Sequence, residues 1–291
     1  MTVCRRTVLA TAGGLAAGLA SPGGAELAGP RLACLDYGLA QTALALGLVP
    51  VGLPDPGGYR SWVIEPALPP GVTDLGARTR PNLELLAALA PDAILSVPDD
   101  DPVLPQLRRV APVLRLPLQG SSPWDLAVAA SHQVGVLAGR TAAAGRLVAD
   151  TEDRLSAVRA GLEGRNLPPV LVASFLDPRH LAVYGATGIV GATLDRLGLR
   201  NAWTGVTGRW GSVVVGLDQL AANRDAVLFI IEPLPPDART ALDGSPLWHA
   251  LPFVRANRVG LLPPVLMFGS LPAATRLADL LAPRLAGFAR G

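Results

Sequence analysis

Short apolar runs alternate along this chain with stretches in which apolar residues recur every three or four positions. Runs of the first kind are typical of buried strands, and stretches of the second kind are typical of amphipathic helices. Their alternation predicts an α/β fold. In the first half, strands are predicted near 31–36, 49–53, 93–97 and 112–116, and helices near 38–46, 82–89 and 103–110. In the second half, strands are predicted near 169–175, 180–184, 226–231 and 258–262, and helices near 188–197, 216–222, 237–243 and 271–288.

A long helix is predicted between the two halves, over residues 137–164. Its apolar face comprises Leu137, Ala144, Leu147, Val148, Thr151, Leu155, Val158 and Leu162, at steps of three or four residues or their multiples. We therefore expect two α/β lobes with central sheets, one over 26–136 and one over 165–291, with a ligand cleft between them. A single linking helix predicts a stiff, rigid connection and a modest lobe movement on binding.

The first 25 residues are predicted to be a cleaved export signal. Arg5 and Arg6 precede a weakly hydrophobic stretch of Ala, Gly and Leu that ends in small residues. The twin arginine is similar to the signal for export of folded proteins, so the protein is expected in the periplasm. A membrane anchor is less favoured because the stretch is short and rich in glycine. Later apolar runs are interrupted by Gly, Pro, Arg or Asp well before the ~20 residues that span a bilayer.

Cleavage of this signal would remove Cys4 and leave Cys34 without a disulfide partner. Because Cys34 lies in a predicted strand, we expect a buried thiol that behaves as a small apolar group.

The charges of the chain are dispersed. Its 25 basic residues are all arginine, and the net charge is +2 with the leader included. Biased genomic base composition explains the absence of lysine without a functional reason. Since the arginines form no long cluster and aromatic residues make up 4% of the chain, nucleic-acid binding is not expected. A monomer is expected.

Motifs for catalysis or for direct metal binding are missing from the sequence. There is no G-x-S-x-G elbow, and without lysine there is no phosphate-binding loop that ends in Gly-Lys. His132, His180 and His249 are far apart, so they predict neither a zinc site nor a catalytic pair. Residues 185–191 have the spacing G-x-x-G-x-x-G after a predicted strand, a weak match to a dinucleotide turn. A secreted enzyme that uses a nucleotide is therefore a less favoured alternative.

Three tryptophans lie in segments rich in Gly, Pro, Asn and Thr. Trp62 follows the segment 57–61, and Trp203 and Trp210 belong to the segment 201–211. Aromatic side chains on loops between two lobes suit a cleft that holds a bulky, partly apolar ligand. Each could instead be a core residue that fixes its loop.

An acidic residue occupies the same place in both copies of a faint internal repeat. Glu84 precedes the predicted strand near 93–97, and Asp218 precedes the one near 226–231. A favourable charge at a helix N-terminus is sufficient to explain each acid. One acid in each lobe also suggests a paired docking surface.

Four segments carry a family resemblance: 76–86 (GARTRPNLELL), 59–63 (YRSWV), 199–203 (LRNAW) and 210–211 (WG). Together they resemble the ferric hydroxamate siderophore-binding proteins, which belong to the helical-backbone group of solute-binding proteins. The resemblance extends over about residues 31–288. It implies a periplasmic protein, not an enzyme, that captures an iron(III)–hydroxamate siderophore and delivers it to an inner-membrane ABC permease.

The resemblance also implies the roles of particular residues. Arg78 would donate hydrogen bonds to the iron-bound hydroxamate oxygens, a task that suits a planar guanidinium. The cleft would be lined by Trp62, Trp203, Trp210 and Ile189. Tyr37 stands where the family often has a tryptophan that contacts the ligand. Met267 and Phe268 stand where the family has a Trp/Tyr pair late in the chain. Glu84 and Asp218 match acids that pair with permease arginines. No resident cofactor is implied, because the siderophore fills the coordination sphere of the iron.

The sequence departs from the family pattern in the predicted site, which leaves the identity of the siderophore open. No aromatic residue replaces the family's pocket tyrosine in the segment 96–102. The aspartates Asp99–Asp101 would favour a cationic ferric siderophore if they face the ligand, or they could form a solvated turn that caps a helix. Cobalamin or haem is an alternative ligand for the same fold. A regulatory module without a substrate is a further alternative.

Overall fold

The computed structural model of the protein describes residues 29–288. The predicted export signal therefore lies outside the described residues. None of the helices in this range is both long enough and apolar enough to cross a membrane.

The N-terminal lobe is built on a parallel sheet of five strands. These are β1 (Leu32–Cys34), β2 (Gly52–Leu53), β3 (Thr73–Asp74), β6 (Ala93–Ser96) and β7 (Val113–Arg115), in the spatial order β3-β2-β1-β6-β7. A separate antiparallel hairpin pairs β4 (Gly76–Ala77) with β5 (Arg80–Pro81). The helices are α1 (Tyr37–Ala45), α2 (Pro56–Trp62), α3 (Leu83–Ala88) and α4 (Leu104–Val110), with a 3-10 helix at Pro98–Val103. Because β1 and β6 are parallel neighbours, the segments that follow them begin at the same edge of the sheet.

The C-terminal lobe is built on a mixed sheet of five strands. These are β8 (Val170–Phe175), β9 (His180–Tyr184), β10 (Ser212–Gly216), β11 (Val227–Ile231) and β12 (Val259–Leu262), in the spatial order β10-β9-β8-β11-β12. β9 runs antiparallel to both of its neighbours, and the other pairs are parallel. The helices are α7 (Ile189–Arg196), α8 (Ala238–Asp243), α9 (Pro246–Ala250), α10 (Pro252–Arg255) and α11 (Leu271–Ala286), with a 3-10 helix at Leu217–Ala222. Two α/β lobes with central sheets confirm the predicted fold class.

The connection between the lobes consists of two helices, where the sequence predicted one. Helix α5 (Pro123–Leu137) ends and helix α6 (Thr141–Leu162) begins on either side of a turn, in which Gly139 has a φ of 66°. Leu137 therefore belongs to α5, and the rest of the predicted apolar face lies on α6. The two helices contact each other, and α5 packs on α1 of the N-terminal lobe whereas α6 packs on α11 of the C-terminal lobe.

A continuous apolar core passes through both lobes. It includes Leu39 in the N-terminal lobe, Val134 and Leu155 in the connecting helices, and Val172 and Leu277 in the C-terminal lobe. Separate clusters cover the outer face of each sheet. Because a large separation of the lobes would expose the shared core, the packing favours the modest lobe movement that the sequence predicts.

Two elements that the sequence prediction omits are stabilised by tertiary contacts. Helix α2 begins with Pro56-Gly57-Gly58, a poor helix former, but the Asp55 carboxylate accepts a hydrogen bond from the Gly58 N–H at 2.9 Å. Tyr59, fully buried, fixes the same helix in the core. Strand β10 is a short run after a glycine-rich loop, and it is held by pairing with β9 along its whole length.

Cys34 is fully buried in β1, as predicted. Burial raises the pKa of its thiol well above the usual range, with the nearby Asp36 charge adding to the effect. The thiol is therefore protonated and unreactive at neutral pH.

Candidate functional site

Arg78 lies at the tip of the β4–β5 hairpin, where Ala77 pairs with Arg80. Its guanidinium carbon is 4.3 Å from the centroid of the Tyr37 ring, a cation–π geometry. The side chain is otherwise exposed. Within residues 29–288, none of its N–H groups has a hydrogen-bond acceptor, so the donors face outwards from a fixed base.

Tyr37 is the support on which Arg78 rests. Its hydroxyl donates to the backbone carbonyl of Asp55 at 2.6 Å and lies 3.0 Å from the Asp55 Oδ2. Its ring meets the Tyr59 ring edge-on, with centroids 5.5 Å apart. Only 2% of Tyr37 is exposed. The sequence predicted Tyr37 as a ligand contact, whereas the structure places its ring beneath the guanidinium.

Asp55 connects the parts of this support. Its side chain caps α2, its carbonyl and carboxylate hold the Tyr37 hydroxyl, and its backbone N–H donates to the Gly76 carbonyl of the hairpin at 2.9 Å. Sequence reasoning missed Asp55, although an acid directly before Pro56 is a signal for a helix N-cap.

Two carboxylates lie near enough to Arg78 to interact with its charge. Asp36 caps α1 by accepting hydrogen bonds from the N–H groups of Gly38 at 2.7 Å and Leu39 at 3.2 Å. Burial raises the pKa of Asp36, and the backbone N–H groups together with Arg78 oppose the rise. Burial likewise raises the pKa of Asp100, again opposed in part by Arg78.

An aromatic wall, formed by Trp210 and Phe268 with the buried ring of Tyr184 behind them, lies on the C-terminal lobe. Phe268 meets Tyr184 and Trp210 edge-to-face, with centroid distances of 6.2 Å and 5.5 Å. The backbone carbonyl of Phe268 accepts a hydrogen bond from Gln119 Nε2 at 3.1 Å, which ties the wall to the N-terminal lobe. Sequence reasoning missed Tyr184 and Gln119. The position of Tyr184, last in a strand before a glycine turn, was an available signal.

The Arg78 support and the aromatic wall meet at the N-terminus of α1. A Cβ on Gly38 would lie 3.3 Å from the Cα of Gly269. Gly38 directly follows Tyr37, and Gly269 directly follows Phe268. The two halves of the site are therefore adjacent across the cleft, one on each lobe.

The other residues of the predicted wall differ in exposure. Trp62 ends α2 with 40% of its surface exposed, so its indole is available to a ligand. Met267 is half-buried beside Phe268. Ile189 is only 4% exposed, so its side chain belongs to the core beneath the wall.

Trp203 is half-buried in the loop before β10. A Cβ on Gly205 would lie 3.0 Å from its ring, and the indole packs against the outer core cluster of the C-terminal lobe. Among the residues that the structure describes, its buried Nε1 has no hydrogen-bond partner. This packing favours the alternative in which Trp203 fixes its loop.

The glycines of the 185–191 segment serve close backbone packing. A Cβ on Gly191 would overlap the carbonyl oxygen of Gly185, and a Cβ on Gly211 would overlap the backbone of Gly188. The Gly185 N–H also donates to the Gly211 carbonyl at 2.9 Å. Two loops thus cross in direct contact beside Trp210. The packing explains these glycines without a bound nucleotide.

The aspartates of the 3-10 helix Pro98–Val103 are all engaged within the protein. Asp101 forms an ion pair with Arg115 at 2.5 Å, and Asp100 accepts a hydrogen bond from a backbone N–H at 3.1 Å. Asp99 forms an ion pair with Arg209 of the C-terminal lobe. Because each carboxylate has a partner within the protein, these contacts favour the alternative in which the three aspartates form a turn that caps a helix.

Glu84 and Asp218 are both exposed in the first turn of a short helix. Each helix leads into a fully buried strand, β6 or β11, as the internal repeat predicts. The structure therefore presents one accessible acid on each lobe.

The three histidines are exposed. His180 Nδ1 lies 2.8 Å from Asp177 Oδ2, and His249 Nε2 lies 2.9 Å from the Asp243 carbonyl. Within the described part of the chain, no group of three His, Cys, Asp or Glu residues is placed to hold a metal ion.

The chain is similar in sequence and in fold to known proteins. A sequence model of the family described as periplasmic binding protein matches residues 32–266. The iron(3+)-hydroxamate-binding protein FhuD of Escherichia coli (strain K12) is 34% identical over 252 residues, which cover 86% of this chain and 85% of that protein. The achromobactin-binding periplasmic protein of Dickeya dadantii (strain 3937) is 28% identical, over 90% of this chain and 88% of that protein. The crystal structure of the Fe3+–Desferal-bound siderophore-binding protein FhuD from Vibrio cholerae matches with a TM-score of 0.84 at 30% identity, over 90% of this chain and 99% of that chain.

Proposed function

Because the chain belongs to the periplasmic binding protein family, we propose that it captures an iron(III)–hydroxamate siderophore and delivers it to an inner-membrane ABC permease. The observation that carries this proposal is Arg78, whose exposed guanidinium packs over the Tyr37 ring and, within residues 29–288, keeps its N–H donors free for a ligand. The relatives support the ligand class, since the E. coli protein is named for iron(3+)-hydroxamate binding and the V. cholerae protein holds Fe3+–Desferal.

The chemistry of this ligand fits the two halves of the site. The iron-bound hydroxamate oxygens carry partial negative charge, and a guanidinium offers them several donors in one plane. Arginine keeps its proton, so it does not compete for the iron. The aromatic wall and Trp62 offer apolar area to the organic part of the ligand.

We also propose where the protein acts and in which oligomeric state. The leader directs export to the periplasm, where the mature protein acts as a monomer without catalysis. It holds no cofactor of its own, and iron arrives only within the siderophore complex.

A fluorescence titration tests the proposed function. Fe3+–Desferal is expected to quench the tryptophan fluorescence of the purified protein at sub-micromolar to micromolar concentrations, because Trp62 and Trp210 lie beside the ligand. Iron-free Desferal is the control for the chelate, and achromobactin belongs in the panel because of the 28% identical relative. Quenching by a nucleotide, cobalamin or haem without a response to any ferric hydroxamate would contradict the proposal.

Removal of both exposed acids is expected to uncouple transport from binding. The double variant Glu84→Ala/Asp218→Ala should lower iron uptake from Fe3+–Desferal by at least about 10-fold. The loss of each acid would leave an arginine of the permease without its partner. Its affinity for the ligand should stay unchanged.

The matched control for this variant is Asp150→Ala/Asp153→Ala, which removes two exposed acids from α6. Uptake of radioactive iron is measured in cells that depend on this protein for the ligand. Equal uptake by the two double variants would remove the docking role of Glu84 and Asp218.

A further inference from the structure

We propose that Asp99 and Arg209 form a tether between the lobes, which closes one end of the cleft and slows the release of bound ligand. Asp99 belongs to the 3-10 helix that follows β6 in the N-terminal lobe, and Arg209 belongs to the loop that precedes β10 in the C-terminal lobe. Their side chains form an ion pair. The pair therefore spans the cleft from one lobe to the other.

The tether borders the candidate site. The guanidinium carbon of Arg209 lies 5.1 Å from the centroid of the Trp210 ring, which belongs to the aromatic wall. Asp99 and Arg209 line a cavity of about 210 Å³ together with Pro98, Pro117 and Gln119. Gln119 in turn donates to the Phe268 carbonyl. A ligand against the aromatic wall would thus have the ion pair at its edge.

A second ion pair between the lobes differs in its surroundings. Arg276 of α11 lies 2.8 Å from Glu65, and its Nε also donates to the Pro264 carbonyl at 2.8 Å. The side chain of Arg276 is only 11% exposed, so that pair is part of the fixed packing. The side chains of Arg209 and Asp99 are 61% and 32% exposed, so their pair can open without disturbing the core.

Solvent exposure limits what the tether contributes to folding stability and makes it sensitive to salt. The tether is expected to change the rate of ligand release. If a ligand leaves by separation of the lobes, the ion pair must break first, and each lost contact across the cleft then raises the dissociation rate constant. This kinetic consequence rests on the proposed function, whereas the tether itself does not.

The tether can be tested without a ligand. Spin labels are placed at Leu176→Cys and Ala88→Cys, both exposed and one on each lobe, in a Cys4→Ser background in which Cys34 stays buried. Asp99→Asn and Arg209→Gln are expected to broaden the distance distribution towards longer distances. The charge reversal Asp99→Arg/Arg209→Asp should restore the distribution of the parent protein. An unchanged distribution in both single variants would overturn the tether.

Ligand release provides the second measurement. In stopped-flow experiments, each single variant should release Fe3+–Desferal about 2- to 5-fold faster, the range for an exposed ion pair, and the charge reversal should return the rate towards that of the parent. Asp101→Asn is the matched control, since it breaks an ion pair of the same 3-10 helix within one lobe. Addition of about 0.5 M salt should speed release from the parent but not from Asp99→Asn/Arg209→Gln.

The outcomes separate the two proposals. Single-variant effects that simply add, with no recovery on charge reversal, would overturn the tether even if the ligand binds well. A protein whose labels respond as expected but which binds no ferric hydroxamate would keep the tether and refute the proposed function.

Discussion

Replacement of Arg78 by leucine is expected to weaken the binding of Fe3+–Desferal by about 100-fold. The reason is the loss of charge-assisted hydrogen bonds to the hydroxamate oxygens, each of which contributes about 1.5–3 kcal/mol. The folded state should keep its stability, because the Arg78 side chain is exposed at a hairpin tip. Affinity is measured by tryptophan fluorescence and stability by thermal unfolding.

Two further substitutions complete this test. One is a control on the same hairpin, and the other separates the charge of Arg78 from its planar set of N–H donors. Arg80→Leu removes an exposed arginine from the same hairpin and should bind the ligand as the parent does. Arg78→Lys keeps the charge but loses the planar donors, so its affinity should fall between those of Arg78→Leu and the parent. If Arg78→Leu binds with the parent's affinity, the guanidinium does not contact the ligand and the proposed site is wrong.

Substitution of Gly211 by alanine is expected to destabilise the fold by about 2–4 kcal/mol, through strained backbone and steric overlap together. Gly211 has a φ of 71°, a region that side chains disfavour, and a Cβ there would overlap the backbone of Gly188. Relief of the overlap would move the loop that holds Trp210. Affinity for Fe3+–Desferal should therefore fall as well.

Gly208→Ala is the matched control for this loop. A Cβ on Gly208 would lie 3.5 Å from the Ser212 carbonyl oxygen, an ordinary van der Waals contact. Gly208→Ala should change the stability by no more than about 1 kcal/mol, in the stabilising direction, because an alanine without strain lowers the conformational entropy of the unfolded chain. Urea unfolding of both variants provides the comparison. Equal stability of the two would show that the crossing of the loops has room for a side chain.

The fold class could be predicted because most strands are short continuous apolar runs. β8 and β11 are fully buried and lie where the sequence predicts them. The prediction failed where tertiary contacts outweigh local preference. α2 forms on a Pro-Gly-Gly start because Asp55 and Tyr59 hold it. The predicted linking helix over 137–164 corresponds to α6, whereas the separate helix α5, which ends before the turn at Gly139, was not predicted.

Prediction of the candidate site from the sequence fails for the same reason, since tertiary contacts determine much of its geometry. Family resemblance pointed to Arg78, but the support beneath it depends on a hydrogen bond between Tyr37 and Asp55 that only the fold creates. The sequence left open whether Asp99–Asp101 face a ligand or form a turn, because Arg209, the partner of Asp99, is distant in sequence. Burial of Ile189 likewise depends on how α7 packs, which the sequence near it does not determine.

The apolar core that crosses from one lobe to the other has a consequence for transport. A body whose halves share their interior keeps nearly the same outline whether empty or loaded. The overall shape would then differ little between the empty and the loaded protein. A permease that distinguishes the two forms would have to contact the mouth of the cleft, where the bound chelate and the side chains around it change.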